Sequence, residues 1–205
     1  MSEKKDEILY TYASNVYLNI TNACPCNCEF CIRKTTDKVG ESGSLWLSHN
    51  PTFEEVKAAV DSFDFTDHDE AVFCGYGEPT MSFDVLIAAA KYLRQKGIRT
   101  RLNTNGLGSL INKRDISKEI CDNIDTISIS MNASDAEKYE AIVHPVFGIK
   151  SFDAMLEFGK ECRKYTENVA FTVVDVISDD DIAQCKRIAD SLNVPLRVRK
   201  YSTEY

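Results

Sequence analysis

Three cysteines on one short segment are the strongest chemical signal in this chain. Cys24, Cys28 and Cys31 follow a C-x3-C-x2-C spacing directly after a short apolar run. Thiolates are ligands for zinc and for iron–sulfur clusters, and structural sites of both kinds usually use four protein ligands. A site with three protein ligands leaves one metal position open to an exogenous molecule. The spacing therefore predicts a metal centre with an open coordination position.

The residues alone leave three other interpretations of these cysteines open: a zinc knuckle, a pair of disulfides, or ordinary buried thiols. A zinc knuckle needs a fourth ligand, and His49, His68 and His144 are all distant in sequence. Disulfides need an oxidising compartment, and the opening residues MSEKKDE contain no apolar signal segment. Cys26 stands between the ligands at a different offset, so we expect it to be a bystander. The remaining cysteines fall on strand or helix patterns and are expected to be core thiols: Cys74, Cys121, Cys162 and Cys185.

Length and composition predict one globular domain over residues 1–205, with 43% apolar residues and no stretch long enough to span a membrane. The net charge of −8 and the pI near 5.0 argue against sequence-independent binding to nucleic acid, which needs a basic surface. Eight cysteines without a secretory signal favour a reducing, cytoplasmic location and a metal site.

Short apolar segments alternate with segments of helical period along almost the whole chain. One helix is predicted to begin at a capping box formed by Thr52 and Glu55, and another to end at Gly97. The expected strands are residues 16–21, 71–74, 99–104, 126–131, 171–176 and 196–199. This alternation favours a parallel sheet with helices packed outside it. Six βα units are too few to close the usual eight-unit barrel, so we expect an open partial (βα)6 barrel.

Polar residues cluster where the expected strands end, which is where parallel α/β proteins carry their chemistry. The cysteines follow the first strand, Gly77 and Glu78 the second, Asn105 the third, and Ser130 and Asn132 the fourth. A glycine lets the backbone approach a ligand, and a carboxylate can pair with a positive amine. Each short pattern is also common in turns, so the residues alone leave both interpretations open. The longest connection, residues 34–51, follows the cysteines directly and has a length often found in functional loops.

The aromatic Phe30 immediately before the last cysteine completes a CxxxCxΦC pattern. With this pattern the chain resembles the radical S-adenosylmethionine (radical SAM) enzymes. In that family three cysteines hold a four-iron four-sulfur cluster, and its open iron chelates SAM. Reductive cleavage of SAM gives methionine and a 5′-deoxyadenosyl radical that abstracts a hydrogen atom from the substrate. The resemblance implies an open partial barrel and covers residues 14–201 as the core, with residues 1–13 as an N-terminal extension.

The resemblance also implies which residues contact SAM. The segment Tyr76-Gly77-Glu78 is similar to the family's GGE motif, with Tyr76 in place of the first glycine. The segment containing Asn105 is similar to the family's TNG segment, and Ser130 and Asn132 match positions that contact the SAM ribose and carboxylate. A narrower resemblance, carried by residues 17–22, 31–33, 44–47, 51–52, 132–133 and 144–148, is to the small TatD-associated radical SAM proteins. It implies functional association with a TatD-like hydrolase.

The expected substrate is a small molecule with an anionic group. Arg197 and Arg199 alternate with Val198, so both share one face of the last strand and could hold a carboxylate or phosphate if that face looks inward. A solvated edge strand explains the same charges equally well. The full set of candidate substrate-facing residues is Arg33, Lys34, His144, Asp175, Arg197, Arg199 and Lys200.

The resemblance further implies an electron donor of the flavodoxin or ferredoxin type. Two alternatives to a small-molecule enzyme remain open from the sequence. One is an activase that generates a glycyl radical on a protein partner. The other, of a different class, is a non-catalytic zinc- or cluster-binding interaction module.

Overall fold

One sheet of seven strands, flanked by seven α-helices, makes up the computed structural model, which describes residues 6–201. The strands are β1 (Leu9–Tyr12), β2 (Asn15–Leu18), β3 (Ala71–Phe73), β4 (Thr100–Thr104), β5 (Thr126–Ser130), β6 (Val169–Val174) and β7 (Leu196–Arg199). The helices are α1 (Phe53–Asp61), α2 (Phe83–Gln95), α3 (Gly108–Asn112), α4 (Ser117–Asn123), α5 (Ala136–Val143), α6 (Lys150–Arg163) and α7 (Asp179–Ser191). Short 3-10 helices lie at Ile32–Lys34 and Pro79–Ser82.

The strands lie in the sheet in chain order, from β1 at one edge to β7 at the other. Strands β2 to β7 are all parallel, and the sheet does not close on itself, which confirms the predicted open partial barrel. The six predicted strands are all present, as β2 to β7. The sheet has one further strand that was not predicted, β1, which pairs antiparallel with β2 and lies within the segment expected to be an N-terminal extension. Strands β1 and β2 form a hairpin, in which the four residues of β1 extend one edge of the barrel next to β2, the strand that the cysteine segment follows.

The convex face of the sheet packs on the helices and forms the hydrophobic core. Phe73, Leu102, Ile127 and Phe171 point to this face from neighbouring parallel strands and are fully buried. Burial of side chains of this size stabilises a fold by about 1.5–3 kcal/mol each. Helix α6 approaches the sheet very closely, because a Cβ atom at Gly159 would lie 2.3 Å from the Phe171 ring.

The helix ends follow the predicted signals in part. Thr52 and Glu55 form the expected reciprocal capping box at the start of α1. Ser82 makes no capping hydrogen bond, and the chain instead enters α2 through the 3-10 helix Pro79–Ser82. The helix α3 was not predicted, and it is short enough to leave no periodic pattern. Within residues 6–201, no helix is both long and apolar enough to cross a membrane.

The close approach of α6 to the sheet predicts that Gly159→Ala is destabilising. An alanine normally gains about 0.5–1 kcal/mol over glycine in a helix interior. Here the added methyl group would overlap the Phe171 ring, and overpacking a core costs about 1–3 kcal/mol. Urea unfolding should therefore show a lower free energy of unfolding for Gly159→Ala.

Lys160→Ala, on the exposed face of the same helix, is the matched control and should change the free energy of unfolding by at most about 0.5 kcal/mol. A Gly159→Ala protein as stable as the wild type would contradict the packing described here.

Candidate functional site

The carboxyl ends of the strands open into a cavity of about 530 Å³. The structure gathers at this cavity every residue that the sequence assigned to cluster or SAM binding. These lining residues are Cys24, Cys28, Phe30, Cys31, Tyr76, Gly77, Glu78, Asn105, Ser130 and Asn132. They come from four different strand ends, so the sheet brings together residues that are more than 100 positions apart in the chain.

The cysteine segment, residues 22–31, has no strand or helix of its own, and the end of helix α5 holds it in place. The last carbonyls of a helix lack partners within the helix. In α5 two of them accept hydrogen bonds from the cysteine segment: Ile142 from the Glu29 amide and Val143 from the Asn27 amide, both at 3.0 Å. The chain just after the helix adds a third bond, from the Val146 amide to the Pro25 carbonyl at 2.9 Å. These contacts fix the backbone on both sides of Cys28.

Arg33 braces the other side of the same segment. Its guanidinium donates to the carbonyls of Asn22 at 3.4 Å, Cys26 at 3.1 Å and Tyr76 at 3.2 Å. The side chain expected to face the substrate is thus engaged with backbone oxygens, and it does not line the cavity. The Tyr76 bond also joins the cysteine segment to the turn that follows β3.

The thiols of the segment influence one another. A hydrogen bond from the Cys26 thiol lowers the pKa of Cys24, and the same contact together with burial raises the pKa of Cys26. Burial and the neighbouring Cys31 raise the pKa of Cys28 to about 12. Metal ligation requires deprotonated thiols, so binding of a cationic metal centre must displace the protons of the ligating cysteines.

The cysteines that line the cavity fit a cluster site. Cys24, Cys28 and Cys31 all line the same cavity. In a four-iron cluster each cysteine binds a different iron, so three cysteine ligands would leave the fourth iron open to SAM.

Gly77 allows the turn after β3 to lie directly against the cysteine segment. A Cβ atom at this position would lie 2.3 Å from the Thr21 carbonyl oxygen and 2.7 Å from that of Ala23. Next to it, the Glu78 amide donates to the Ala23 carbonyl at 2.8 Å. The glycine is therefore required for close backbone packing, besides leaving room for a ligand on the cavity side.

Glu78 joins two strand ends beneath the cavity. Its Oε1 accepts hydrogen bonds from the Thr104 hydroxyl at 2.7 Å and from the hydroxyl and amide of Thr80 at 2.8 and 3.2 Å. Its Oε2 accepts one bond, from the Asn105 amide at 2.8 Å. Burial raises the pKa of this carboxyl group, while the hydrogen bonds act in the opposite direction. Since a carboxylate oxygen can accept two bonds, Oε2 retains capacity for one donor from a ligand.

Asn132 contributes a buried side-chain oxygen to the cavity lining. It follows β5 in the left-handed backbone region, with φ of 58°, and is 5% exposed. Its amide oxygen is buried and has no hydrogen-bond partner among residues 6–201. Leaving such an atom unpaired costs about 1–3 kcal/mol. A ligand hydroxyl or ammonium in the cavity would satisfy it, and the residues present therefore fit SAM.

Tyr76 anchors the long loop that follows the cysteines. Its hydroxyl donates to the Thr36 carbonyl, and its ring lies edge-on to Trp46 with centroids 5.0 Å apart. The side-chain amide of Asn19 donates to the Leu45 carbonyl at 2.7 Å and fixes the loop from the end of β2. This loop forms one wall of the cavity through Val39 and Leu45.

The other substrate-facing candidates separate into two groups. Arg199 and Lys200 line the cavity, whereas Arg197, two residues earlier on the same strand face, does not. The remaining candidates lie outside the lining. His144 follows α5 with a left-handed backbone, and its Nε2 lies 3.4 Å from the Glu29 carboxylate. Lys34 donates a hydrogen bond to the Asn27 carbonyl. Asp175 accepts a hydrogen bond from the Tyr201 amide.

A group of tyrosines that lines the cavity was not predicted from the sequence. Tyr10 and Tyr12 of β1 and Tyr17 of β2 all line it, with the rings of Tyr10 and Tyr17 stacked at 5.1 Å. The alternating tyrosines of residues 10–17 were the available signal. Cys74, expected to be a core thiol, also lines the cavity.

The brace formed by Arg33 predicts that Arg33→Met lowers stability. The substitution removes three hydrogen bonds to backbone carbonyls but keeps the apolar part of the side chain. We expect it to lower the free energy of unfolding by about 2–3 kcal/mol. Thermal unfolding checks this, with the exposed Lys38→Met as the control. Unchanged stability in Arg33→Met would show that the brace contributes nothing to the fold.

Comparisons with known proteins agree with this site. The family model for the radical SAM superfamily matches residues 18–189. Among curated proteins, the chain is 27% identical over 158 residues to the uncharacterized protein MJ0804 of Methanocaldococcus jannaschii, covering 76% of this chain and 46% of that protein. It is also 27% identical to the dual-specificity RNA methyltransferase RlmN of Nautilia profundicola, covering 96% of this chain and 56% of that protein. The chain thus spans about half the length of these curated relatives.

Among solved structures, the fold is similar to that of Streptococcus suis SuiB bound to S-adenosylmethionine. The TM-score is 0.65 at 18% identity, covering 91% of this chain and 38% of that chain. At this identity the likeness concerns the fold, and it supports the open barrel described above. The family match carries further, since it spans the cysteine segment and the ends of strands β2 to β6. This chain belongs to the radical SAM superfamily, whose members use a four-iron four-sulfur cluster and SAM.

Proposed function

We propose that this chain is the radical SAM core of an enzyme that abstracts a hydrogen atom from a substrate carrying an anionic group. The observation that carries the proposal is one cavity lined by three loop cysteines, an unpaired asparagine amide oxygen and two cations. When bound, the cluster supplies the electron that divides SAM into methionine and a 5′-deoxyadenosyl radical.

The chain's own residues bind and orient the reactants. Cys24, Cys28 and Cys31 would hold the cluster, on a segment whose backbone α5 and Arg33 fix in place. The free acceptor positions at Glu78 Oε2 and at the Asn132 amide oxygen would bind donor groups of SAM. Other lining residues assigned to SAM are Phe30, Tyr76, Gly77, Asn105 and Ser130.

The two edges of the open sheet give the substrate side of the cavity its chemistry. Arg199 and Lys200 follow the edge strand β7, while Tyr10, Tyr12 and Tyr17 lie on the hairpin at the opposite edge. Cations gathered at one rim of a protein with net charge −8 are well placed for a carboxylate or phosphate. The tyrosine faces opposite them favour a substrate with a flat or apolar part.

Enzymes of this family work with a reductant, and we propose a flavodoxin- or ferredoxin-type electron donor as the partner here. We also propose that residues 1–205 form a single core domain. On the basis of the narrower sequence resemblance, we further propose a functional association with a TatD-like hydrolase. Co-purification of a TatD-like hydrolase with the tagged chain would test it, with the same tag on an unrelated protein as control.

The cluster assignment predicts that anaerobic reconstitution gives about four irons per chain. Cys24→Ala, Cys28→Ala or Cys31→Ala should each abolish the iron content, because every ligand binds a different iron. Cys26→Ala is the matched control on the same segment and should retain it. Iron and sulfide analysis with an electron paramagnetic resonance (EPR) spectrum measures both. Full iron content in Cys28→Ala, or tetrahedral zinc without iron in the wild type, would contradict the assignment.

The substrate proposal predicts that Arg199→Gln loses product formation while its iron content and uncoupled SAM cleavage stay unchanged. Loss of a charged hydrogen bond costs about 1.5–3 kcal/mol, which corresponds to a decrease of about 10- to 150-fold in turnover at low substrate concentration. The measurement is mass spectrometry of products after anaerobic incubation with a small-metabolite extract, a reductant and SAM.

Arg197→Gln is the matched control, since it lies on the same strand face outside the cavity and should turn over like the wild type. Equal losses in both variants would contradict a specific anion site at Arg199. A product carrying the labelled methyl group of SAM would indicate methyl transfer in place of hydrogen abstraction. A glycyl radical on a protein partner would indicate an activase.

A further inference from the structure

Tyr139 is a fully buried tyrosine whose hydroxyl has no hydrogen-bond partner among residues 6–201. Its ring belongs to the hydrophobic core and packs against Phe152, with centroids 5.7 Å apart. A phenylalanine would make the same ring contacts without burying an unpaired polar atom, which costs about 1–3 kcal/mol. The hydroxyl therefore requires an explanation outside the packing of the core.

The position of Tyr139 on α5 places it next to the cysteine segment. It lies one helical turn before Val143, on the same face of the helix. Val143 lines the cavity, and its carbonyl accepts the hydrogen bond from the Asn27 amide that holds the cysteine segment. A tyrosine hydroxyl carries its proton at neutral pH and can donate one hydrogen bond.

Sulfur atoms of an iron–sulfur cluster are hydrogen-bond acceptors, and the hydrogen bonds they receive help to set the reduction potential, together with cluster type, net charge and solvent exposure. A donor stabilises the reduced cluster more than the oxidised one, because reduction adds negative charge to the sulfurs. The Tyr139 hydroxyl thus needs a hydrogen-bond acceptor, and a sulfur of the proposed cluster can be one.

We infer that the Tyr139 hydroxyl donates a hydrogen bond to a sulfur of the bound cluster, on the side of Cys28, and so raises the cluster's reduction potential. The inference rests on the proposed function, since it needs the cluster in place. It assigns Tyr139 a role in tuning the cofactor that the cysteine pattern does not reveal. Tyr139 would contact neither SAM nor the substrate.

The test is an EPR-monitored redox titration of the reconstituted Tyr139→Phe protein. Iron content should equal that of the wild type, and the midpoint potential should become more negative. Tyr165→Phe, at a tyrosine that is 45% exposed outside the core, is the matched control and should titrate like the wild type.

The possible results distinguish the proposed function from the role of Tyr139. A wild-type chain that binds no iron contradicts the proposed function. A Tyr139→Phe protein with full iron and an unchanged potential overturns the role of Tyr139 alone. A second measurement is thermal unfolding without the cluster, where Tyr139→Phe should be at least as stable as the wild type because it removes an unpaired polar atom. A clear loss of stability there would show that the hydroxyl has a partner within the core, and would overturn the inference as well.

Discussion

The docking of the cysteine segment onto the end of helix α5 is the contact on which the rest of the site depends. A segment without regular structure cannot satisfy its own backbone groups, and ligands on such a segment are useful only if it is held still. The free carbonyls of Ile142 and Val143 accept hydrogen bonds from the amides of Glu29 and Asn27, which both pairs these amides and holds the segment still. The helix end and the cysteine segment thus satisfy each other's unpaired backbone groups.

The other side of the segment depends on contacts with the turn after β3. The absent side chain of Gly77 lets that turn approach the carbonyls of Thr21 and Ala23, and Arg33 links the Cys26 and Tyr76 carbonyls. Tyr76 extends the same support to the long loop through its hydroxyl and ring. Tyr76 therefore helps to close one wall of the cavity.

The parallel part of the fold was predictable because short apolar strands alternate along the chain with helices that show a hydrophobic period. Strand β1 was not, since its four residues alternate tyrosines with only one buried position, as an edge strand facing a cavity would. The predicted first strand extends to residue 21, but β2 ends at Leu18, and the side chain of Asn19 directly after it holds the Leu45 carbonyl.

The site was predictable where local patterns mark it, at the cysteines and the strand ends. It was not predictable where side chains act through distant backbone groups. Arg33 reads as a free cation in the sequence, yet one of its acceptors lies 43 residues away at Tyr76. The partner of Glu78 at Asn105, and the unpaired hydroxyl of Tyr139, likewise depend on how the strand ends and α5 meet.

The central claim is that the cavity presents three cysteine ligands and leaves one iron free to bind SAM. Electron–nuclear double resonance of the reduced, reconstituted protein with SAM labelled with ¹⁵N in its amino group measures this contact directly. The account predicts a strong ¹⁵N coupling that requires both the cluster and SAM, because the amino group would be bonded to the open iron. A cluster signal without ¹⁵N coupling at saturating SAM would contradict it.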